Sequence, residues 1–360
     1  MIYQLWMLIF VKCAKFCLFV CCQIILFNIF AKTLNKITNK LSKQNIMKKL
    51  FRNVAIIALS IVAISCSKDE NKPAQQTITE IAVANPNLST LVEAIQRTGL
   101  VEPSSTEQFT VFAPTNTAFQ NYLTDRGLTS LDDLSDEELT QILLNHVITG
   151  AVQSTQLTTG YIETNATFGG TETGNPINMY VSTASGVRLN GVSSVVTPNI
   201  IASNGVIHVV DAVIGLPSVV TFAAADPNFS ILAGELTAQG LVSTLQSTAT
   251  PPSPFTVFAP TNAAFAALDA EIPGVVDLLT PAQLTSVLTY HVVAGDNVLS
   301  STLTQGQVVT TFETGTLTVG LTGGAKLTDE RNRITNIVKV DVQAANGVIH
   351  VLDNVLLPNF

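Results

Sequence analysis

The chain has 360 residues, 47% of them hydrophobic and 12% charged, with a formal net charge of −8. Residues 1–65 hold nine Lys/Arg and no Asp/Glu, which leaves nine basic residues against 26 acidic ones in 66–360. A body of that charge has no basic footprint for phosphate backbones, so nucleic acid is excluded as a partner.

Residues 1–46 carry an apolar stretch from Phe16 to Ala31 and a Lys/Asn/Thr-rich spacer. Met47-Lys-Lys-Leu-Phe-Arg52, the apolar run Val54 to Ile64 and Ser65-Cys66 then form the basic region, short apolar core and small-residue boundary of a signal peptide at 47–65. A complete signal peptide at an internal Met is accounted for if translation starts at Met47; the competing reading makes 1–46 an extra membrane segment. Ala63-Ile64-Ser65-Cys66 resembles a bacterial lipoprotein box. It implies a lipid on Cys66, with an ordinary cleaved signal as the alternative. Ser67-Lys68-Asp69-Glu70 looks like a tag that directs such proteins to the cell surface. The expected address is the outer membrane facing outward, with the periplasmic face as alternative. Residues 66–76 read as a polar tether.

The remainder says one thing twice. Phe109-Thr-Val-Phe-Ala-Pro-Thr-Asn116 recurs unchanged at Phe255 to Asn262, and Asn204-Gly-Val-Ile-His-Val209 recurs at Asn346 to Val351. Each unit of about 140 residues is large enough for its own core. The other four cysteines all precede residue 23, so neither repeat has a disulfide framework or a thiolate metal site.

In chain order, Asn85-Pro-Asn-Leu-Ser and Asp226-Pro-Asn-Phe-Ser introduce helices with apolar residues at spacings of three and four. Gly99 and Gly240 stop them. The Phe-Thr-Val-Phe block is a short buried strand. Thr115 and Thr261 stand at helix N-caps, and Asn116 and Asn262 are expected to fix the strand-to-helix turn. Ser135 to Glu138 and Thr280 to Gln283 fit capping boxes. The second half of each repeat alternates apolar and polar residues as strands do. Asn204-Gly205 and Asn346-Gly347 are tight-hairpin signals. Helices first and strands later argue for an α+β unit.

All four histidines form matched pairs, His146 with His208 and His291 with His350. A zinc site usually needs three or four protein ligands, and neither repeat offers Cys or a third His. Asp211 and Asp353 would point away from the second His of each pair on a regular strand. Buried histidines bonded to the backbone explain the pairing with fewest assumptions. There is no nucleophile elbow and no phosphate loop, so no catalytic residue, cofactor or metal is expected.

The two doubled blocks resemble the two signatures of the fasciclin domain, and Tyr290-His291 matches the Tyr-His motif between them; Asn145 replaces the Tyr in the first repeat. The resemblance covers 77–217 and 218–360. It implies two wedge-shaped β-sandwiches of about seven strands with packed helices, and a non-enzymatic role in adhesion. Animal members bind integrins near the Tyr-His motif, a partner not carried over here. The expected partners are extracellular protein or polysaccharide, the membrane through Cys66, and the protein itself. An envelope enzyme or a small-ligand or carbohydrate carrier using a pocket is the alternative. Leu216-Pro217 leaves almost no linker, so little freedom between the domains is expected.

Overall fold

The computed structural model describes residues 75–100, 107–171, 173–249, 251–274 and 278–359. The segment 1–46, the signal peptide at 47–65, Cys66 and the tether up to residue 74 lie outside the described residues. Ala74–Phe360 forms one compact unit.

The first repeat opens with helices α1 (Ile78–Ala84) and α2 (Ser89–Thr98), then strand β1 (Phe109–Pro114), α3 (Asn116–Asp125), α4 (Asp136–Asn145) and β2 (Val147–Thr149). Five strands follow: β3 (Gly160–Thr167), β4 (Pro176–Ser182), β5 (Arg188–Leu189), β6 (Ser193–Ala202) and β7 (Gly205–Val210). They form one seven-stranded sheet in the order β2-β1-β7-β6-β5-β4-β3. Only β1 and β7 run parallel. The two ends of the ladder, β2 and β3, lie beside each other, so the sheet doubles back into two layers.

The second repeat has the same plan. Its helices are α5 (Val219–Ala225), α6 (Ser230–Ala238), α7 (Val242–Leu245), α8 (Asn262–Glu271) and α9 (Pro281–Tyr290). Its strands are β8 (Phe255–Pro260), β9 (Val292–Ala294), β10 (Val308–Thr310), β11 (Thr316–Gly320), β12 (Lys326–Thr328), β13 (Ile334–Ala344) and β14 (Gly347–Leu352), in the order β10-β11-β12-β13-β14-β8-β9. The fold is therefore α+β, twice.

The doubled blocks are the parallel strand pair of each sheet. On β1, Ala113 packs under the helices with Leu91, Phe119 and Ile142, while Phe112 faces Met179, Leu189 and Ile214 between the sheet layers. A strand covered on both faces reads as a continuous apolar run, which is why Phe-Thr-Val-Phe-Ala and Val-Ile-His-Val do not alternate.

The structure departs from the sequence reading at four places. Each repeat begins one helix earlier than the Asn/Asp-Pro signal: Thr77 and Ser218 close capping boxes with Glu80 and Thr221 on α1 and α5. The hairpin ladder pairs Ala202 with Gly205 and Ala344 with Gly347, so the two-residue turns are Ser203-Asn204 and Ala345-Asn346. Each Gly is the first strand residue, where an added Cβ would stand 1.9 Å from Phe109 O or 2.1 Å from Phe255 O across the parallel ladder. Ser135 caps Glu138 N–H, yet Glu138 turns to Arg126 at 2.6 Å, so of the two boxes expected from sequence Thr280 and Gln283 alone close reciprocally. The end of the tether is tied down: Gln75 Nε2 donates to Ile201 O, and Gln76 O accepts the Ser203 N–H.

The repeats share a core. Tyr180 of the first is buried within the apolar cluster of the second, which includes Phe222, Phe229 and Phe255. Tyr161 donates its hydroxyl to Asp226 Oδ2 at 3.1 Å, and Lys339 Nζ lies 4.7 Å from its ring centroid. Asn178 Oδ1 accepts the Gln343 N–H at 2.7 Å.

Candidate functional site

Thr115 and Thr261 accept the N–H of Ala118 and Ala264 at 3.2 Å, which satisfies an orphan donor at each helix start. Asn116 and Asn262 reach further than the turn they stand on. Asn116 Oδ1 accepts the Thr90 N–H at 3.0 Å, and its amide donates to Pro86 O and Ser89 Oγ. Asn262 does the same with Ile231, Pro227 and Ser230. The Asn pair thus clamps α3 to the start of α2, and α8 to the start of α6.

His146 and His291 cap the ends of α4 and α9 and are buried. Their Nδ1–H groups donate to Ile142 O and Val287 O at 2.7 Å, and their Nε2 atoms accept from Ile214 N–H and Leu356 N–H at 2.9 Å. Burial pushes both imidazoles down to about 4, so both are neutral at pH 7.

His208 and His350 use the opposite tautomer. Nε2–H donates to Val152 O at 3.0 Å and to Val298 O at 2.9 Å. Nδ1 accepts the N–H of Asn199 and of Asp341 at 3.1 and 3.4 Å. Those two residues sit at φ 63° and 57°, where β6 and β13 slip register. A bulge leaves its extra residue unpaired in the ladder, and the imidazole supplies the missing acceptor. Both rings stack on the Phe of the other doubled block, Phe112 and Phe258, at 5.5 and 5.6 Å. Burial lowers both imidazoles.

Every ring nitrogen of the four histidines therefore bonds to backbone. Among the described residues no group of three His, Cys, Asp or Glu is placed to hold a metal ion. Asp211 and Asp353 accept from Ser194 N–H and Asn336 N–H across the hairpin. Tyr290 is buried, donates to Thr316 O at 2.7 Å and accepts Glu330 N–H, so its side chain offers no contact surface. At its position Asn145 donates to Ile214 O and Gly215 O.

Asn204 and Asn346, read from sequence as turn residues, do more. Their Oδ1 atoms accept the N–H of Ile78 and Val219 at 2.9 Å and seat the opening helix of each repeat. Beneath α1 and α2 lies an apolar cavity of about 150 Å³, lined by Ile78, Leu91, Ile95, Val111, Leu143 and Ile207. Its counterpart in the second repeat, with Leu236 and Leu245 in its wall, has about 10 Å³.

Two copies of one α+β module, joined through a common core and carrying buried histidines bonded to backbone, define a tandem-domain protein. The fasciclin domain family model matches residues 86–217 and again 227–358, and the chain belongs to that family. It is 39% identical over 144 residues to a Synechocystis protein described as uncharacterized protein sll1735, covering 39% of this chain and 98% of that one. Human periostin is 31% identical over 259 residues, which span 70% of this chain and 28% of periostin. A solved FAS1 domain pair from the insect cell adhesion molecule Fasciclin I matches with a TM-score of 0.43 and 19% identity, over 78% of this chain and 95% of that one.

Proposed function

We propose that the protein is a non-enzymatic adhesion and interaction protein of the cell surface. It is held at the outer membrane by lipid on Cys66 and presents its two fasciclin domains as one body to extracellular protein or polysaccharide. One observation carries this reading. The polar residues that recur in both repeats are spent on backbone hydrogen bonds, so binding falls to other, exposed residues. Two modules displayed together gain effective concentration when both engage a partner. Several acyl chains at about 0.8 kcal/mol per buried CH₂ would make the anchor stable.

Residues 67–360, probed on a glycan array and a panel of matrix proteins, are expected to bind saturably. Binding should survive His208→Gln and His350→Gln as long as the fold does. Saturable turnover of a substrate that vanishes with one of these histidines would contradict it. For the anchor, Cys66→Ala should release the protein from membranes, and unchanged membrane retention would refute acylation there. Digestion of intact cells by added protease separates an outward from a periplasmic face.

A carrier function is favoured by the cavity of the first repeat alone. An apolar space of roughly 150 Å³ holds a molecule of about the size of benzene. Saturable binding of one such molecule per chain, lost on Leu91→Trp, would support it; no uptake would remove it.

A further inference from the structure

The first repeat covers one face of its sheet with the second repeat. Tyr161 and Tyr180, cross-strand partners on β3 and β4, lie on that face beside Asn178. Tyr180 is 3% exposed and Asn178 is 9% exposed. In the second repeat the same ladder positions carry Val308 and Thr318, cross-strand partners on β10 and β11, with Thr316 in place of Asn178. Nothing from the described chain covers them: Val308 is 62% exposed, and both threonines are exposed.

The receiving surface is also doubled. The second repeat presents Phe222, the fourth residue of α5, and Gln343, paired with Val348 on the hairpin. Both are buried. The first repeat has Ile81 as the fourth residue of α1, and Ile201 paired with Val206. Ile81 is half-buried and Ile201 is 46% exposed.

Among the described residues, the molecule thus uses one copy of this interface internally and leaves one half without a counterpart on each repeat. We propose that these halves meet between molecules, so that the Val308–Thr318 face of one copy docks on the Ile81–Ile201 face of the next. The substitutions at the two halves suit each other. Where the internal contact joins Asn178 to Gln343, the external one would bring Thr316 to Ile201. Where Lys339 sits over Tyr161, Thr197 would meet Val308. Tyr161, Tyr180 and Asn178 give way to Val308, Thr318 and Thr316 on one side, and Lys339 and Gln343 give way to Thr197 and Ile201 on the other, so none of the exchanged positions buries a charge. The contact is heterologous, and copies joined by it close into a ring or continue as a filament. The proposal needs no outside partner and does not depend on which one the protein binds.

Sedimentation velocity on residues 67–360, whose compact part is a unit of its own, tests it. The wild-type mass should rise with concentration. Val308→Glu and Ile201→Glu should each weaken association by roughly tenfold or more. Both positions are exposed, so melting temperatures should hold; if either drops, Thr318→Glu or Thr197→Glu replaces that variant. A mixture of the Val308→Glu and Ile201→Glu variants should give dimers and nothing larger, because each supplies one intact half. A wild type that stays monomeric at every concentration, assembly indifferent to both substitutions, or a mixture that remains monomeric would overturn the proposal.

Discussion

The Tyr161 ring of the first repeat stands edge-on to Phe222 of the second, with centroids 5.4 Å apart and planes at 87°. Edge-to-face aromatic pairs of this kind contribute about 0.5–1.5 kcal/mol beyond the area they bury. Here the pair also holds the Asp226 hydrogen bond and the Lys339 contact. Tyr161→Ala should therefore cost about 2–3 kcal/mol and loosen the two repeats. Calorimetry should show one unfolding transition in the wild type and two in the variant. Two transitions in the wild type would show that the shared core does not couple the domains.

Gly205 makes the close approach of β7 to β1. Its φ of 152° lies where side chains are rarely tolerated, and an added Cβ would collide with Phe109 O. Gly205→Ala should lose more than about 3 kcal/mol in urea unfolding, or fail to fold. Gly347→Ala should do the same in the second repeat.

Asn116→Ala removes an acceptor for Thr90 N–H and two donations from the amide. A loss of about 1–3 kcal/mol is expected. Asn116→Asp keeps the acceptor and loses the donations, so it should fall between the two. Binding by the folded variants should be unchanged; a binding defect without a stability defect would move Asn116 from architecture to recognition.

Acid should destabilise the fold through His146 and His291. Both are held at about 4, against an ordinary value of 6.5. As pH falls through 6.5 the unfolded chain takes up protons that the native imidazoles refuse, so the unfolded state gains until about pH 4. Each histidine then removes on the order of 3 kcal/mol across that window and contributes no pH dependence above it. Urea midpoints measured from pH 7 to 4 should decline, and His146→Gln should flatten the slope by one histidine's share. A flat profile would show that these imidazoles titrate in the fold as they do in the unfolded chain.

Much of this architecture is legible locally. Thr115, Thr261 and Thr280 announce helix starts with a side chain that caps within three residues. The strands buried on both faces announce themselves by continuous apolar runs. What escapes a local reading depends on distant partners. The seven-residue α1 and α5 are seated by Asn204 and Asn346, 126 and 127 residues away. Glu138 abandons its capping box for Arg126. Asn116 bonds a helix 26 residues upstream. The interdomain face is invisible to a search for repeats because it is where the copies differ: Tyr161 against Val308, and Gln343 against Ile201.

The recurring histidines hold backbone and do no chemistry. Long-range ¹H–¹⁵N spectra of the four imidazoles, followed against pH and added zinc, address it directly. Four rings neutral at pH 7 are expected, those of His146 and His291 titrating near 4 and those of His208 and His350 below 6.5, with the proton on Nδ1 in the first pair and on Nε2 in the second, all indifferent to zinc. A ring that titrates at its ordinary value, or shifts on metal addition, would contradict it.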